Sequence, residues 1–87
     1  MYLIIVYDVE EKRVAKVCKY LRRYLHWVQN SVFEGDLTEG KFTEVQTGLK
    51  KRIKLEEDSV LFYKLRSESE IKKEVMGLEK APVENIL

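Results

Sequence analysis

A carboxylate stands where a buried strand is predicted to end. The apolar run Leu3-Ile4-Ile5-Val6 leads into Tyr7 and Asp8, and a helical pattern begins a few residues later. A side chain at such a junction is fixed by the strand and still lies near the surface. Mg²⁺ prefers oxygen ligands, and one or two carboxylates with water and substrate phosphate can hold it. Asp8 is therefore a candidate metal ligand; the alternative is that it caps the following helix.

Basic side chains crowd the segment that follows Asp8. The residues concerned are Lys12, Arg13, Lys16, Lys19, Arg22 and Arg23. Such a surface would bind phosphate with an affinity that falls with salt and does not read base sequence. Arg13 lies about one helical turn beyond Asp8, where it would clamp a phosphate beside the metal. The alternative is an ordinary solvated helix face.

Two aromatic residues lie close to the candidate site in sequence. Tyr7 directly precedes Asp8, and Phe33 belongs to the later segment Val28-Gln29-Asn30-Ser31-Val32-Phe33-Glu34-Gly35. Both rings would be able to stack on a nucleic-acid base. In a small domain, however, an aromatic side chain is more often part of the core.

The length of 87 residues indicates one domain, predicted over residues 1–81, with a C-terminal tail over 82–87 that starts at Pro82. Apolar residues make up 45%, but no apolar run reaches the ~20 residues that span a bilayer. The N-terminus lacks a signal-peptide pattern, so we expect a cytoplasmic protein without a membrane partner. The net charge of +1 does not by itself indicate a nucleic-acid binder.

Helical spacing predicts two α-helices. An apolar stripe predicts the first over residues 11–25; its members are Val14, Val17, Cys18, Leu21 and Leu25. Thr38 is the expected N-cap of the second, with Glu39 in its first turn. The apolar positions of this second helix are Phe42, Val45, Leu49 and Ile53.

The remaining segments favour extended structure. Residues 2–8 and 59–66 are predicted strands, and residues 26–37 form one bent strand or, as we favour, two short ones. Residues 68–73 are expected to form a turn or short helix, and residues 74–80 a last short strand. The order strand, helix, strand, strand, helix, strand predicts the α+β ferredoxin-like fold βαββαβ, an antiparallel sheet with both helices on one face.

Two of the predicted strands are apolar on both faces. Residues 2–8 place Ile4 and Val6 on the face opposite Leu3, Ile5 and Tyr7, and residues 59–66 repeat the pattern. Helices can cover only one of these faces, so we expect two chains to dimerise through their open sheets. A twofold axis would then bring two copies of Asp8 together around one ion.

Several of these segments together resemble one known family. They are Tyr7-Asp8-Val9, Arg13, Gln29-x-Ser31-Val32-Phe33-x-Gly35-Asp36-Leu37 and Leu61-Phe62-Tyr63. On them, the chain is similar over about residues 1–66 to the small CRISPR-associated endoribonuclease family, the smaller of two near-universal spacer-acquisition proteins. The chain departs from many members at Tyr24-Leu25-His26, where they carry a glycine.

The resemblance implies a homodimer of ferredoxin-like subunits that pairs with the CRISPR integrase. It also implies Mg²⁺-dependent cleavage of single-stranded RNA or double-stranded DNA. The metal-binding aspartate of the family corresponds to Asp8, its helix arginine to Arg13 and its phenylalanine to Phe33. In many relatives the last strand crosses to the partner's sheet, and residues 74–80 correspond to that strand here.

Two alternatives stay open beside the enzyme. In the first, the dimer is a non-catalytic DNA-binding scaffold of the integrase complex, and the basic side chains of the first helix contact duplex DNA. A ferredoxin-like regulatory domain with an unrelated partner is the other reading.

Overall fold

A computed structural model describes residues 1–81 of the chain. Its elements, in chain order, are β1 (Tyr2–Asp8), α1 (Glu11–Leu21), β2 (His26–Gln29), β3 (Val32–Asp36), α2 (Glu39–Lys50), β4 (Ser59–Leu65) and a 3₁₀ turn at Glu68–Glu70. The strands form one antiparallel sheet in the order β2-β3-β1-β4. The predicted α+β fold with a four-stranded sheet and two helices is confirmed.

The core lies between the helices and one face of the sheet. Leu3 and Ile5 of β1 and Phe33 of β3 are fully buried there, together with Val17 of α1 and Val45 of α2. Along β1 and β3, the buried side chains alternate with others that point to the opposite face, as the two-residue period of a strand requires. Burial of these side chains removes apolar surface from water, and this removal drives folding.

The first helix ends earlier than the apolar stripe predicts. Helix α1 stops at Leu21, and the next amides bond back into its last turn, with the N–H of Arg22 donating to the carbonyl of Cys18. Leu25 is nevertheless buried in the core, because a tight turn carries it there. This turn needs no glycine: among residues 1–81, Asn30 is the only non-glycine with positive φ.

The second helix begins as expected. The hydroxyl oxygen of Thr38 accepts a hydrogen bond from the N–H of Lys41, at 3.1 Å, and so caps α2. The helix ends at Lys50, before Ile53. Residues 26–37 form the two short strands β2 and β3, joined by a turn at Asn30.

The two helices touch where α2 has a glycine. A Cβ added at Gly48 would lie 1.9 Å from the hydroxyl of Tyr20, so only glycine leaves room for this ring. That hydroxyl donates to the carbonyl of Glu44, and Arg52 lies over the ring face at 4.0 Å from its centroid. Tyr20 therefore joins α1 to α2 through one close contact.

The strand predicted over residues 74–80 is wrong for the isolated chain. These residues have no regular structure, and Val75, Met76 and Leu78 expose much of their side chains. The segment is held where Lys73 pairs with Glu34 of β3. A strand needs a neighbouring strand to satisfy its backbone, and this segment joins no ladder of its own sheet. The tail over 82–87 lies outside the described residues.

Candidate metal centre and nucleic-acid interface

Asp8 is the last residue of β1 and lies opposite Ser59 of β4. It is exposed, and strand alternation places it on the face of Ile4 and Val6 rather than that of the buried Ile5. We call this uncovered side of the sheet the open face, defined by Ile4, Val6, Val32, Leu61 and Tyr63. The carboxylate thus stands at the edge of an apolar surface, reachable from solvent.

Asp8 does not cap the following helix, so that alternative is wrong. The N-cap position of α1 is Glu10, whose side chain makes no capping bond. The backbone N–H of Glu10 donates instead to Oδ1 of Asp58, at 2.9 Å. The carboxylate that satisfies the start of the helix therefore comes from the distant loop before β4 and not from Asp8.

The donor set around Asp8 is small. Residues 1–81 contain no group of three or more His, Cys, Asp or Glu side chains placed to share an ion. One exposed carboxylate suits Mg²⁺, which keeps several waters and often takes only one or two protein carboxylates. The chain fits such an ion only as part of a shared site, with the other ligands from a second chain, water or phosphate.

Arg13 is not on the basic helix face, and the sequence placed it wrongly there. Its residue is 4% exposed, and its guanidinium pairs with Asp58 through Nε to Oδ2 at 2.6 Å and Nη2 to Oδ1 at 2.9 Å. Nη2 also donates to Glu57 at 2.8 Å. A bidentate ion pair of this kind is geometrically specific. The guanidinium is committed to carboxylates of its own chain.

The charge of this ion pair is reflected in the acidity of its members. Hydrogen bonds from Arg13, and from the backbone of Lys54 and Glu10, hold the pKa of Asp58 well below its usual range, although burial opposes them. The same bond raises the pKa of Arg13. Both groups are therefore ionised at neutral pH. Sequence reasoning missed Asp58, and the acidic run Glu56-Glu57-Asp58 before β4 is the signal that would have suggested a buried partner.

Tyr7 and Phe33 are core residues, so stacking of these rings on a base is excluded in this structure. Phe33 is fully buried and Tyr7 nearly so, and their rings stack on each other with centroids 6.2 Å apart and an angle of 25° between planes. Both point to the helix side of the sheet, away from Asp8. Burial, followed by the nearby Cys18, raises the pKa of Tyr7. Within the motif, Tyr7 and Phe33 are therefore packing residues.

The open face exposes large apolar side chains. Leu61 and Tyr63 of β4 are 51% and 54% exposed, and they lie opposite Val6 and Ile4 in the β1–β4 ladder. The face is not uniform along β1. Tyr2 at its start is buried, and burial together with Glu34 raises its pKa to about 12. Along β1, the end that carries Asp8 is the more exposed one.

The remaining predicted basic residues are exposed as expected. Lys12, Lys16, Lys19 and Arg23 are spaced by four, three and four residues, which puts them on one side of the helix and its terminal turn. We call these four residues the basic stripe. Arg22 lies beside it over the Trp27 ring, 5.9 Å from the centroid, and Arg23 is 5.6 Å from the Tyr20 centroid. The arrangement can follow a phosphate backbone.

No helix within residues 1–81 is long and apolar enough to cross a membrane.

Comparison with known proteins finds one family. The family model for CRISPR associated protein Cas2 matches residues 1–73. The proteins named CRISPR-associated endoribonuclease Cas2 of Thermococcus kodakarensis and Pyrococcus furiosus are 54% and 52% identical over 87 residues, which cover all of this chain and all of each relative.

Solved structures show the same similarity. A crystal structure of cas2 matches with a TM-score of 0.87 and 46% identity, covering 100% of this chain and 98% of that one. Streptococcus pyogenes Cas2 at pH 6.5 matches with a TM-score of 0.80 and 32% identity, covering 88% of this chain and 100% of that one. The similarity therefore extends through the sheet and both helices.

Proposed function

The chain belongs to the family of CRISPR-associated protein Cas2, and we propose that it is a Mg²⁺-dependent endonuclease that works as a homodimer in CRISPR adaptation. Its substrate class is single-stranded RNA or double-stranded DNA, and its partner is the CRISPR integrase. The relatives named endoribonuclease support the nuclease activity. The metal, the dimer and the partner are our own inferences.

The observation that carries the proposal is the position of Asp8 at the accessible end of the open face. Leu61 and Tyr63 are about half exposed on this face, and contiguous apolar surface of this kind is typical of an association site. A twofold interface repeats every group on both sides. Two sheets that meet near this end would add a second Asp8 carboxylate to the first.

In the proposed dimer, the residues of this chain have separate tasks. The paired Asp8 carboxylates would hold Mg²⁺, with water and phosphate as further ligands. When bound, the ion activates water and offsets charge that develops on the phosphodiester. The basic stripe holds the nucleic acid by its phosphates. Tyr7 and Phe33 keep β1 and β3 in register from inside the core.

The segment 74–80 supports association in a second way. It carries the exposed apolar residues Val75, Met76 and Leu78, and it joins no strand of its own sheet. Strand β4 lies at the edge of the sheet, with β1 as its neighbour. An unpaired edge strand is a template for a strand from another chain. We expect the segment 74–80 of one subunit to pair with its partner's sheet.

A DNA-binding scaffold without chemistry is the second candidate. The basic stripe favours it, because these side chains contact backbone phosphate without reading sequence. The fold alone does not choose between the two functions, since one fold hosts many activities. The scaffold and the nuclease would use the same dimer, so the two candidates differ only in what Asp8 does.

Cleavage by an Asp8→Asn variant separates the two candidates. Labelled RNA and duplex DNA are incubated with purified wild type or Asp8→Asn, in Mg²⁺ or in chelator, and the mass in solution is measured alongside. We expect dimeric wild type to cut only in Mg²⁺ and Asp8→Asn to be dimeric and inactive. Asp36→Asn, at the other end of the same face, is the matched control and should stay active. Equal cleavage by wild type and Asp8→Asn would refute the nuclease proposal.

Charge reversal in the basic stripe tests nucleic-acid binding. Lys16 and Lys19 suit it better than Arg22 and Arg23, whose side chains also contact aromatic rings. The double variant Lys16→Glu/Lys19→Glu should weaken duplex binding and flatten its dependence on salt. Lys50→Glu/Lys51→Glu makes the same charge change at the end of α2 and should have a smaller effect. Equal losses in both would mean that the stripe has no special part.

A further inference from the structure

We infer that Arg13 and Asp58 form a positioning clamp that fixes the backbone just after Asp8 and across the β1–β4 ladder from it, and that neither residue contacts the nucleic acid. The inference builds on the proposed function, because the clamp matters for chemistry only where Asp8 does. We use the term clamp for these two residues alone. In the clamp, Arg13 positions the backbone near Asp8, whereas its place in the sequence suggests a contact with phosphate.

The Asp58 carboxylate has a hydrogen-bond donor on every side. Its side chain has no exposed surface. Oδ1 accepts from the N–H of Glu10 at 2.9 Å and from Nη2 of Arg13 at 2.9 Å, and Oδ2 accepts from Nε of Arg13 at 2.6 Å and from the N–H of Lys54 at 2.8 Å. Three chain segments therefore meet at one carboxylate: the loop after β1, helix α1 and the loop before β4.

These bonds fix the surroundings of Asp8 from two directions. Asp58 directly precedes Ser59, and Ser59 lies opposite Asp8 in the β1–β4 ladder. Glu10, which the same carboxylate holds, follows Asp8 by two residues. The exposed Asp8 side chain is thus attached to a backbone that is restrained two residues after it and in the strand opposite it. A ligand held in this way needs little reordering when it binds an ion.

The surroundings of Arg13 argue against a direct contact with substrate. Nε and Nη2 both donate to Asp58, and Nη2 also donates to Glu57. A phosphate that bound at Nε or Nη2 would have to displace carboxylates that are already bound there, and the residue is only 4% exposed. Leaving Asp58 charged, buried and unpaired would be strongly unfavourable. Arg13 is therefore a positioning residue.

The experiment uses the full chain with three substitutions. Arg13→Lys keeps the positive charge but loses the bidentate geometry, and Asp58→Asn keeps the shape but presents a donor where donors already point. Glu57→Gln is the matched control, because Glu57 accepts a hydrogen bond from Arg13, whereas the Glu10 amide bonds to Asp58. Two quantities are measured: amide hydrogen exchange at Glu10 by NMR, and the Mg²⁺ dependence of RNA cleavage.

We expect both clamp variants to speed exchange at the Glu10 amide about tenfold or more, and to raise the Mg²⁺ concentration for half-maximal cleavage by about tenfold, as substitutions behind a metal ligand do. Glu57→Gln should change each quantity by less than about twofold. Saturating Mg²⁺ should restore much of the rate in Arg13→Lys and none in Asp8→Asn. A purely structural role would lower stability without shifting the metal dependence.

Unchanged Glu10 exchange in Arg13→Lys would overturn the inference, and a selective loss of RNA affinity in that variant would return Arg13 to phosphate binding. Arg13→Lys decides the matter if Asp58→Asn does not fold. Failure of the proposed function has a different signature, because wild type and Asp8→Asn would then cleave equally. The Glu10 amide would still report whether the clamp orders the loop.

Discussion

The two faces of the sheet are built from the same strands and end in opposite surroundings. On the helix face, Leu3, Ile5 and Phe33 are fully buried. On the open face, Leu61 and Tyr63 keep about half of their surface in water. The apolar content of the strands exceeds what folding of one chain uses. The first face explains the fold of the subunit, and the second is available for association.

The same division separates the residues of the family motif. Tyr7 and Asp8 are neighbours in sequence, but strand alternation sends them to opposite faces. Tyr7 stacks on Phe33 in the core, and Asp8 reaches solvent at the end of β1. A motif can therefore contain a packing residue and an exposed carboxylate, here the proposed metal ligand, in adjacent positions. Strand parity, rather than closeness in sequence, tells them apart.

The largest effect should come from emptying the helix face. Phe33→Ala removes a fully buried ring, and we expect it to lower the free energy of unfolding by about 3–5 kcal/mol. Val32→Ala, the next residue and on the open face, should cost much less in the isolated subunit. Urea denaturation, with both substitutions made in a Leu61→Glu background, measures the difference without a dimer contribution. Similar losses for the two variants would contradict the division into faces.

The next largest effect should come from charging the open face. Leu61→Glu places a carboxylate among apolar residues that we expect to meet a second chain, and it should raise the dimer dissociation constant about thirtyfold or more. The subunit should keep its far-ultraviolet circular dichroism spectrum. Leu55→Glu is the matched control, since Leu55 is an exposed leucine in the loop before β4. Sedimentation would refute the open-face dimer if Leu55→Glu dissociated and Leu61→Glu did not.

A smaller effect is expected in the helix layer above the covered face. Gly48→Ala forces a methyl group against Tyr20, and we expect a net loss of about 1–2 kcal/mol in unfolding free energy, since overpacking outweighs the better helix propensity. Gly40→Ala, in the same helix, meets only the Thr38 hydroxyl at 4.0 Å. It should be neutral or stabilising. Thermal unfolding of the two variants makes the comparison, and equal behaviour would contradict the close contact of α1 with α2.

The smallest expected effect is on how the stability of the fold depends on pH, through the carboxylate of Asp58. Because the folded pKa of Asp58 is depressed below its unfolded value of about 3.9, its charge stabilises the fold above that value. This contribution is lost as the pH falls through about 4 and below. The free energy of unfolding, measured in urea, should therefore fall more steeply between about pH 6 and about pH 3 in wild type than in Asp58→Asn. An equal fall in the free energy of unfolding in both proteins would mean that another carboxyl group causes the loss of stability in acid.

Much of the fold followed from local patterns in the sequence. Periodicity located both helices and the strands, and Thr38 identified the start of α2. These features depend on neighbours in the chain. The position of Arg13 could not be predicted in this way, because its partner Asp58 lies 45 residues away in sequence. The helical spacing of Arg13 predicts a surface position, but the structure buries it against the carboxylates of Glu57 and Asp58 in the loop before β4.

The strand predicted over residues 74–80 failed for a related reason. Its residues have a suitable composition, but a strand forms only where a sheet edge meets it. In this chain the segment pairs with neither edge strand of its own sheet, β2 or β4. For Asp8 the position was predictable from the end of the apolar run, whereas the role that we propose for it depends on a second chain, whose position one sequence does not give.

Binding of Mn²⁺ tests most directly whether the open face brings two Asp8 carboxylates to one ion. Isothermal titration gives the stoichiometry for wild type, Asp8→Asn and the control Asp36→Asn. We expect one ion for every two chains in wild type and Asp36→Asn, and loss of that site in Asp8→Asn. One ion per chain, or an unchanged site in Asp8→Asn, would contradict a site shared by two Asp8 carboxylates.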